Sequence, residues 1–426
     1  MNARDYSSTM QRREFLRSSL IASAAAFIPR FSVAHAETDS RLVLVILRGA
    51  MDGLAAVVPY GDENYERLRG ELALDKPGSS KGALKLDGLF ALHPSLFNMY
   101  TRYQQKELLV LHAIASPYRE RSHFDGQDLL ENGTSQPHAA LDGWLNRALP
   151  GMTGVKHRVS EEFAIAFAQN VPLILRGEQR VGSWVPSKLP ATDDDTLQRI
   201  ADMYASDAHF ASRLQTAMQT DAIANEKSSE DGTMSEGGEK MQLQDATRIS
   251  AKPNSPFNAV FAAAGKMLKQ PDGPRVAVVD ATGWDTHANQ GAANGQLATR
   301  LSNLDQAIES LRVELGEAWQ QTVVMVATEF GRTVAINGTR GTDHGTATCA
   351  FVVGGAVQGG NVIADWPGLA PHNLYQGRDL MPTMDLRALF KGVLRDHLGV
   401  ADSLLERKVF ASSGDVKPLT GLIRSG

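Results

Sequence analysis

The chain has 426 residues, a formal net charge of −5 and 42% hydrophobic side chains, a composition that excludes a fibrous or wholly disordered protein. Its acidic balance, without a basic stripe, argues against nucleic acid as a partner. Because Cys349 is the single cysteine, an intramolecular disulfide is excluded as well. The fold must therefore be stabilised by its core.

Residues 1–36 carry the pattern of a targeting segment. The pair Arg12 and Arg13 is followed by the weakly hydrophobic run Ser19–Ile28 and then by a small-residue cleavage site at Ala34–Ala36. We expect a twin-arginine signal peptide, recognition by the twin-arginine export machinery and a periplasmic mature protein. The alternative is an amphipathic helix with a chance arginine pair. The apolar run is too short and too rich in Ala and Ser for a stable membrane anchor.

The mature chain opens with a buried strand, the apolar run Arg41–Leu47, and Asp52 follows in a glycine-containing turn. An aspartate there is either a turn or cap residue or a metal ligand. A helix is predicted from His93 to Gln105, and a second strand over Leu108–Ile114.

Ser122 precedes a further helical pattern, where a serine is a natural N-cap. The first turn of a helix also stabilises an anion through its free N–H groups. Ser122 is therefore either a plain capping residue or a nucleophile beside a metal.

Short strands are predicted over Phe163–Phe167 and Leu173–Leu175. Near residues 224–250 the chain becomes polar and rich in glycine, which indicates a mobile insertion. Strands of the same character occur on both sides of it, so we expect one domain over residues 37–426.

A third strand, Arg275–Asp280, leads to Asp285 and His287, whose spacing lets both face one point from an extended loop. The long helix predicted over Gln296–Trp319 has an apolar stripe at helical spacing.

The run Val323–Thr328 is the next predicted strand and delivers Glu329 to the edge of a sheet. Asp343 and His344 follow in a glycine-flanked loop. Another strand, Ala350–Gly354, and a closing helix, Leu386–Leu398, complete the pattern.

Alternating strands and helices predict an α/β fold with a mostly parallel sheet and helices on both faces. We expect all strands to end at one edge, so that the acids and histidines that follow them can meet there. Caps, turns and solvated loops explain any one of these residues alone. Together they favour a site for a divalent metal, with Zn²⁺, Mn²⁺, Mg²⁺ and Ca²⁺ all open. Of the other histidines, only His123 lies next to another candidate site residue, Ser122.

A series of short motifs runs along the whole mature chain and resembles that of the domain of unknown function 1501 family. The motifs are Arg48–Gly53, Ser122–Phe124, Gly143–Leu145, Gly283–His287, Thr328–Thr333 and Gly341–Gly345. This resemblance implies an alkaline-phosphatase-like fold, related to the alkaline phosphatase and sulfatase superfamily, and a twin-arginine leader is typical of the family.

The superfamily resemblance implies roles for particular residues. Asp52 matches its first metal-binding acid and Ser122 its nucleophile, whereas Asp285 and His287 resemble its later ligands with an altered spacing. Glu329 stands where an Asp-His pair is usual, and Asp343 with His344 comes one loop later. The sulfatase signature Cys/Ser-x-Pro-x-Arg is missing, which disfavours a sulfatase.

The predicted function is an exported metal-dependent hydrolase of a small anionic ester, a phosphate in preference to a sulfate. Arg332 either pairs with the transferred oxyanion or satisfies loop carbonyls. In this hypothesis Ser122 is the nucleophile and the metal ligands are Asp52, Asp285, His287, Glu329, Asp343 and His344. The alternative is a non-catalytic periplasmic binding or assembly protein that keeps the fold and a structural metal.

Overall fold

The computed structural model describes residues 39–152, 163–186, 200, 203–204, 207–225, 256–411 and 413–424. Within these ranges twelve strands form one nine-stranded and one three-stranded sheet. The strands are β1 (Arg41–Arg48), β2 (Val57–Val58), β3 (Leu84–Lys85), β4 (Ala91–Leu92), β5 (Leu108–Ala115), β6 (Ala164–Phe167), β7 (Gly182–Ser183), β8 (Val276–Thr282), β9 (Thr322–Ala327), β10 (Thr348–Val353), β11 (Asn361–Ile363) and β12 (Met384–Asp385).

The large sheet has the order β11-β5-β10-β9-β1-β8-β6-β7, and β12 also pairs with β5. Pairing is parallel throughout except for β10, which runs antiparallel to both β9 and β5. The α/β, mostly parallel sheet is confirmed, but the expectation that every strand ends at one edge is wrong for β10. An antiparallel neighbour needs no crossover helix. The loop between β9 and β10 therefore stays at the edge where the parallel strands end.

Helices cover both faces of this sheet, as the sequence predicts. They are α1 (Gly53–Ala56), α2 (Tyr65–Arg69), α3 (Phe97–Gln104), α4 (His123–Asn132), α5 (Trp144–Ala148), α6 (Ala208–Asn225), α7 (Pro256–Lys269), α8 (Gln296–Leu315), α9 (Leu386–Leu398) and α10 (Asp402–Leu404). One face of β1 presents Val43 and Val45 to the core layer of α7 and α8. Its other face presents Leu42 and Leu44 to the layer of α5 and α9. Such burial on both faces explains the unbroken apolar runs.

Two local predictions differ from the structure, and one small sheet is not predicted. Leu173–Leu175 forms a 3₁₀ turn rather than a strand. The helix predicted from His93 begins at Phe97, because the His93 ring accepts a hydrogen bond from the Ser95 N–H and caps a turn there. The three-stranded sheet of β2, β4 and β3 was not predicted, since its two-residue strands are too short to show a period.

Two predicted segments lie outside the described residues. These are the leader at residues 1–36 and almost all of the insertion near residues 224–250, of which only the end of α6 is described. In the described part of the chain, no helix has the length and apolarity needed to cross a membrane.

Three buried histidines make folding sensitive to acid. Burial lowers the pKa of His93, His112 and His397 to about 4. In His112 the Nε2–H donates to the Val57 carbonyl at 3.0 Å, and Nδ1 accepts the Ala113 N–H at 2.8 Å. A second proton on that ring would replace the bond from Ala113 with a clash of two donors.

We therefore expect the free energy of unfolding to fall as the pH drops from about 6.5 towards 4, where the unfolded chain binds protons that the folded chain resists. Each histidine contributes at most about 1.4 kcal/mol per pH unit. A His112→Gln variant should be less stable at pH 7 but lose less stability over this window. Denaturant unfolding at several pH values measures the slope, and an unchanged slope would show that His112 does not titrate there.

Candidate metal centre

Two glycines let three loops meet above the edge of the large sheet. Gly49, with φ +118°, lies so close to the next loop that a Cβ would stand 2.6 Å from the Asp285 nitrogen. At Gly341 a Cβ would stand 2.3 Å from the carbonyl group of His287. A side chain at either position would push apart the segments that carry Asp285, His287 and His344.

His123, Asp285 and His344 can each direct one ligand atom to a common point, with these atoms within 4.8 Å of one another. The Asp285 carboxylate lies 3.5 Å from His123 Nε2 and 3.4 Å from His344 Nε2. His287 joins them, since its Nε2 is 3.0 Å from both Asp285 Oδ1 and His344 Nε2. Three imidazoles and one carboxylate thus converge from three loops.

Each of these rings is held through its other nitrogen. His123 Nδ1 contacts Glu329 Oε1 at 2.8 Å, and His287 Nδ1 contacts Asp343 Oδ1 at 3.1 Å. The Nδ1 of His344 contacts the Arg121 carbonyl at 3.0 Å. Carboxylates and carbonyls only accept, so a neutral ring with its proton on Nδ1 satisfies each of these contacts and leaves a lone pair on Nε2.

These lone pairs show that the residues fit a cation. Two of them, on His287 and His344, face each other at 3.0 Å, which is repulsive unless a proton or a cation lies between them. The third, on His123 Nε2, is buried and makes no hydrogen bond within the described part of the chain. Histidines that donate Nδ1–H to a carboxylate or carbonyl and direct Nε2 inward are the usual ligands of transition metals.

The carboxylates around the rings are held ionised. Burial opposes the charge of Glu329, but hydrogen bonds from His123, Gln127 and Thr328 outweigh it and lower the pKa of the Glu329 carboxyl. Burial also opposes the charge of Asp285, but the Arg332 guanidinium outweighs it and lowers the pKa of the Asp285 carboxyl. Negative charge is therefore fixed on both sides of the histidine cluster.

Two of the histidines differ in their affinity for protons. The hydrogen bond to Glu329 raises the pKa of His123. Burial, followed by the nearby charges of His123 and Arg332, lowers the pKa of His344. The His344 ring therefore stays neutral at pH 7, in the form that binds a metal.

Arg332 is buried, and each of its three guanidinium nitrogens donates a hydrogen bond. Nη1 pairs with Asp285, Nη2 donates to the Thr342 carbonyl, and Nε donates to the Thr342 hydroxyl at 3.2 Å. The side chain thus orients the Asp285 carboxylate and ties it to the loop that carries His344.

Gln290 also links the loop that carries Asp285 to the loop that carries His344. Its Oε1 accepts from the Thr286 hydroxyl at 2.8 Å and from the Thr342 hydroxyl at 2.9 Å. Its Nε2 donates to Asp52 Oδ2 at 2.7 Å. Because Gln290 is fully buried, these bonds are shielded from water and hold the loops in one register.

Asp52 lies in this supporting layer rather than in the cluster. It is buried at the start of α1, pairs with the buried Arg69, and accepts from Gln290. Ser122 occupies the N-cap position of α4, and its side chain makes no capping hydrogen bond. Its hydroxyl lies one residue before His123 and is within hydrogen-bond reach of the Tyr118 hydroxyl.

The structure brings together Asp285, His287 and His344 from the predicted ligands. Glu329 and Asp343 contact the rings of His123 and His287 instead. The sequence does not single out His123 as a ligand, because its partner Glu329 is 206 residues away in the chain. The one signal that points to His123 is its place in the first turn of a helix that follows a buried strand.

A family model described as "Protein of unknown function (DUF1501)" matches residues 109–410, which is more than half of the chain. The chain belongs to the DUF1501 family. The matched span includes the three histidines of the cluster, Asp285, Glu329 and Arg332, whereas Asp52 precedes it. No curated protein matches the sequence.

Two solved structures show a distant similarity to the DUF1501 chain. A phosphonate monoester hydrolase of Agrobacterium radiobacter has 12% identity and a TM-score of 0.32, over 85% of this chain and 74% of that one. The C-terminal periplasmic domain of EcEptC from Escherichia coli, in complex with Zn, has 11% identity and a TM-score of 0.33, over 75% and 74%. Similarity at this level leaves the function to be argued from the site itself.

Proposed function

We propose that this DUF1501 protein is an exported, metal-dependent hydrolase of a small anionic ester, a phosphate in preference to a sulfate. The observation that carries the proposal is the convergence of three histidine Nε2 atoms on the Asp285 carboxylate, each ring tied at Nδ1. The ligands would be His123, Asp285, His287 and His344. A bound divalent ion would supply Lewis-acid polarisation of the ester.

Donor chemistry narrows the candidate metals. Imidazole-rich sites suit Zn²⁺ and similar transition ions, whereas Mg²⁺ and Ca²⁺ prefer sites made of oxygen atoms. We therefore propose Zn²⁺ or a comparable ion. Glu329 and Asp343 would then orient His123 and His287 instead of binding the ion, and Arg332 would orient Asp285.

Ser122 is the proposed nucleophile. It directly precedes His123, at the N-terminus of a ten-residue helix whose free N–H groups favour an anion. We expect Ser122→Ala to lower turnover of an aryl phosphate by about 10³-fold or more, with the metal content unchanged. Ser310→Ala, which changes a serine bonded to its own helix, is the matched control. Full turnover by the Ser122 variant would remove the nucleophile role.

One observation favours a second function, a binding or assembly protein with a structural metal. The superfamily resemblance makes Asp52 a ligand, yet its carboxylate is neutralised by Arg69 in a fully buried pair. A panel of phosphate and sulfate esters separates the two functions. Full metal occupancy without turnover of any ester would favour binding, and turnover that depends on the metal would favour the hydrolase.

A further inference from the structure

We propose that Arg121 and Arg378 form an anion-binding pair beside the metal centre, which holds the phosphate group of the substrate. The inference rests on the proposed function, because it names the part of that site which recognises the charge of the ester. It also assigns to this pair the oxyanion role that the sequence leaves open for Arg332, each of whose three guanidinium nitrogens already donates to Asp285 or Thr342.

The two guanidiniums are held side by side by one carboxylate. Asp379 is fully buried, and its Oδ2 accepts from Arg121 Nε at 2.8 Å while its Oδ1 accepts from Arg378 Nε at 2.8 Å. One negative charge is thereby shared between two positive charges. A net positive charge remains on the pair, and each guanidinium keeps its Nη1 donors for an oxyanion.

The pair adjoins the candidate metal ligands directly. His344 Nδ1 donates to the Arg121 carbonyl, and the Arg378 guanidinium donates to the His344 carbonyl. Arg121 is also the residue immediately before Ser122. The positive pair is thus bound to one ligand and covalently next to the segment that carries the proposed nucleophile and a second ligand.

Both arginines keep donors for a ligand. The Arg378 side chain is 47% exposed and that of Arg121 19% exposed. Within the described part of the chain, the Nη1 group of neither residue makes a hydrogen bond. The fully buried Arg332 has no such free group.

Charge balance shows why an anionic substrate needs this pair. Three carboxylates, on Asp285, Glu329 and Asp343, surround the cluster, and Arg332 with a divalent ion would just neutralise them. The centre alone would then carry no net charge. The excess charge on Arg121 and Arg378 supplies that attraction.

The backbone beneath the pair is strained. Arg121 has φ +63° and Gln376 has φ +54°, in the left-handed region that residues other than glycine rarely adopt. The two side chains also meet, since Arg121 Nη2 donates to Gln376 Oε1 at 2.6 Å. Strain of this kind persists where surrounding contacts enforce it and is concentrated at functional sites.

The test is the binding of inorganic phosphate to the full-length protein by titration calorimetry, in metal-free and Zn²⁺-loaded forms. We expect Arg378→Gln to weaken phosphate binding at least about tenfold in both forms, with no change in Zn²⁺ content. Arg340→Gln is the matched control. Arg340 is exposed, lies on the loop before His344 and bonds to Asn289, so its substitution removes the same charge nearby without touching His344.

The proposed anion-binding pair would be refuted if Arg378→Gln bound phosphate with wild-type affinity. It would also be refuted if Arg340→Gln lost as much phosphate affinity as Arg378→Gln. An Arg378→Lys variant, which keeps the charge but loses the planar fork, should bind phosphate with intermediate affinity. With an aryl phosphate, Arg378→Gln should raise KM about tenfold and change kcat much less. If phosphate binding depends on Arg378 but no ester is turned over, the pair stands and the hydrolase proposal fails.

Discussion

An Asp285→Asn variant is expected to lose the divalent ion that we propose for the wild-type protein. Among the residues that the structure describes, Asp285 is the one carboxylate that approaches the Nε2 atoms of all three histidines. Its loss removes the anionic ligand and leaves the buried Arg332 unpaired beside the cation. Metal content should fall from about one ion per chain to a small fraction of that. Elemental analysis after gel filtration measures it.

The same variant should also be less stable without metal. Arg332 is 1% exposed and would keep its charge without its partner. Since Asp285 itself is 39% exposed, we expect a loss of about 1–3 kcal/mol rather than the larger cost of a fully buried pair. Asp125→Asn, a change at a nearby carboxylate that contacts Tyr118 and His138, is the control. Equal metal content in Asp285→Asn and the wild type would refute the role of Asp285 as a ligand.

A Glu329→Gln variant is expected to bind the ion about 10- to 100-fold more weakly, although Glu329 need not touch it. Glu329 Oε1 accepts from the Gly49 N–H, the Gln127 amide and His123 Nδ1, and Oε2 accepts from the Thr328 hydroxyl. The amide keeps the size of the side chain but removes the charge that makes the His123 ring a stronger base. Competition with a chelator measures the affinity.

Glu131→Gln provides the matched control for that experiment. Glu131 is also a buried carboxylate, and it accepts from Arg48 and from the Ile174 N–H without contacting a histidine of the cluster. Both variants lose one buried charge, so a general loss of stability should affect both. Only Glu329→Gln should weaken metal binding. An equal loss of metal affinity in both variants would assign Glu329 a structural role alone.

The sequence predicts the longer strands of the large sheet well because they are buried on both faces, but it does not predict the two- or three-residue strands β7, β11 and β12. Runs such as Arg41–Leu47 and Val323–Thr328 have no polar interruption, and their loops hold the acids and histidines at one edge. The direction of β10 could not be predicted in this way. A buried strand has the same composition whether it runs parallel or antiparallel to its neighbours.

Local pattern also cannot show which side chains meet. Asp52 looks equally like a turn residue and a ligand until the fold brings Arg69 and Gln290 to it, and the Gln290 contact spans 238 residues. In the sequence, Ser122 is the only other candidate site residue next to His123. Its ring becomes a candidate ligand only because Glu329, at the end of another strand, orients it. Pairing across loops decides which residues bind and which support.

The most direct test of the central claim is the position of a bound ion in crystals of the Zn²⁺-loaded protein, from anomalous scattering at the zinc edge. The account predicts one strong peak within bonding distance of the Nε2 atoms of His123, His287 and His344 and of the Asp285 carboxylate, at about 2.0–2.2 Å from each. A peak at Asp52, or none among these four side chains in crystals that contain stoichiometric zinc, would contradict it.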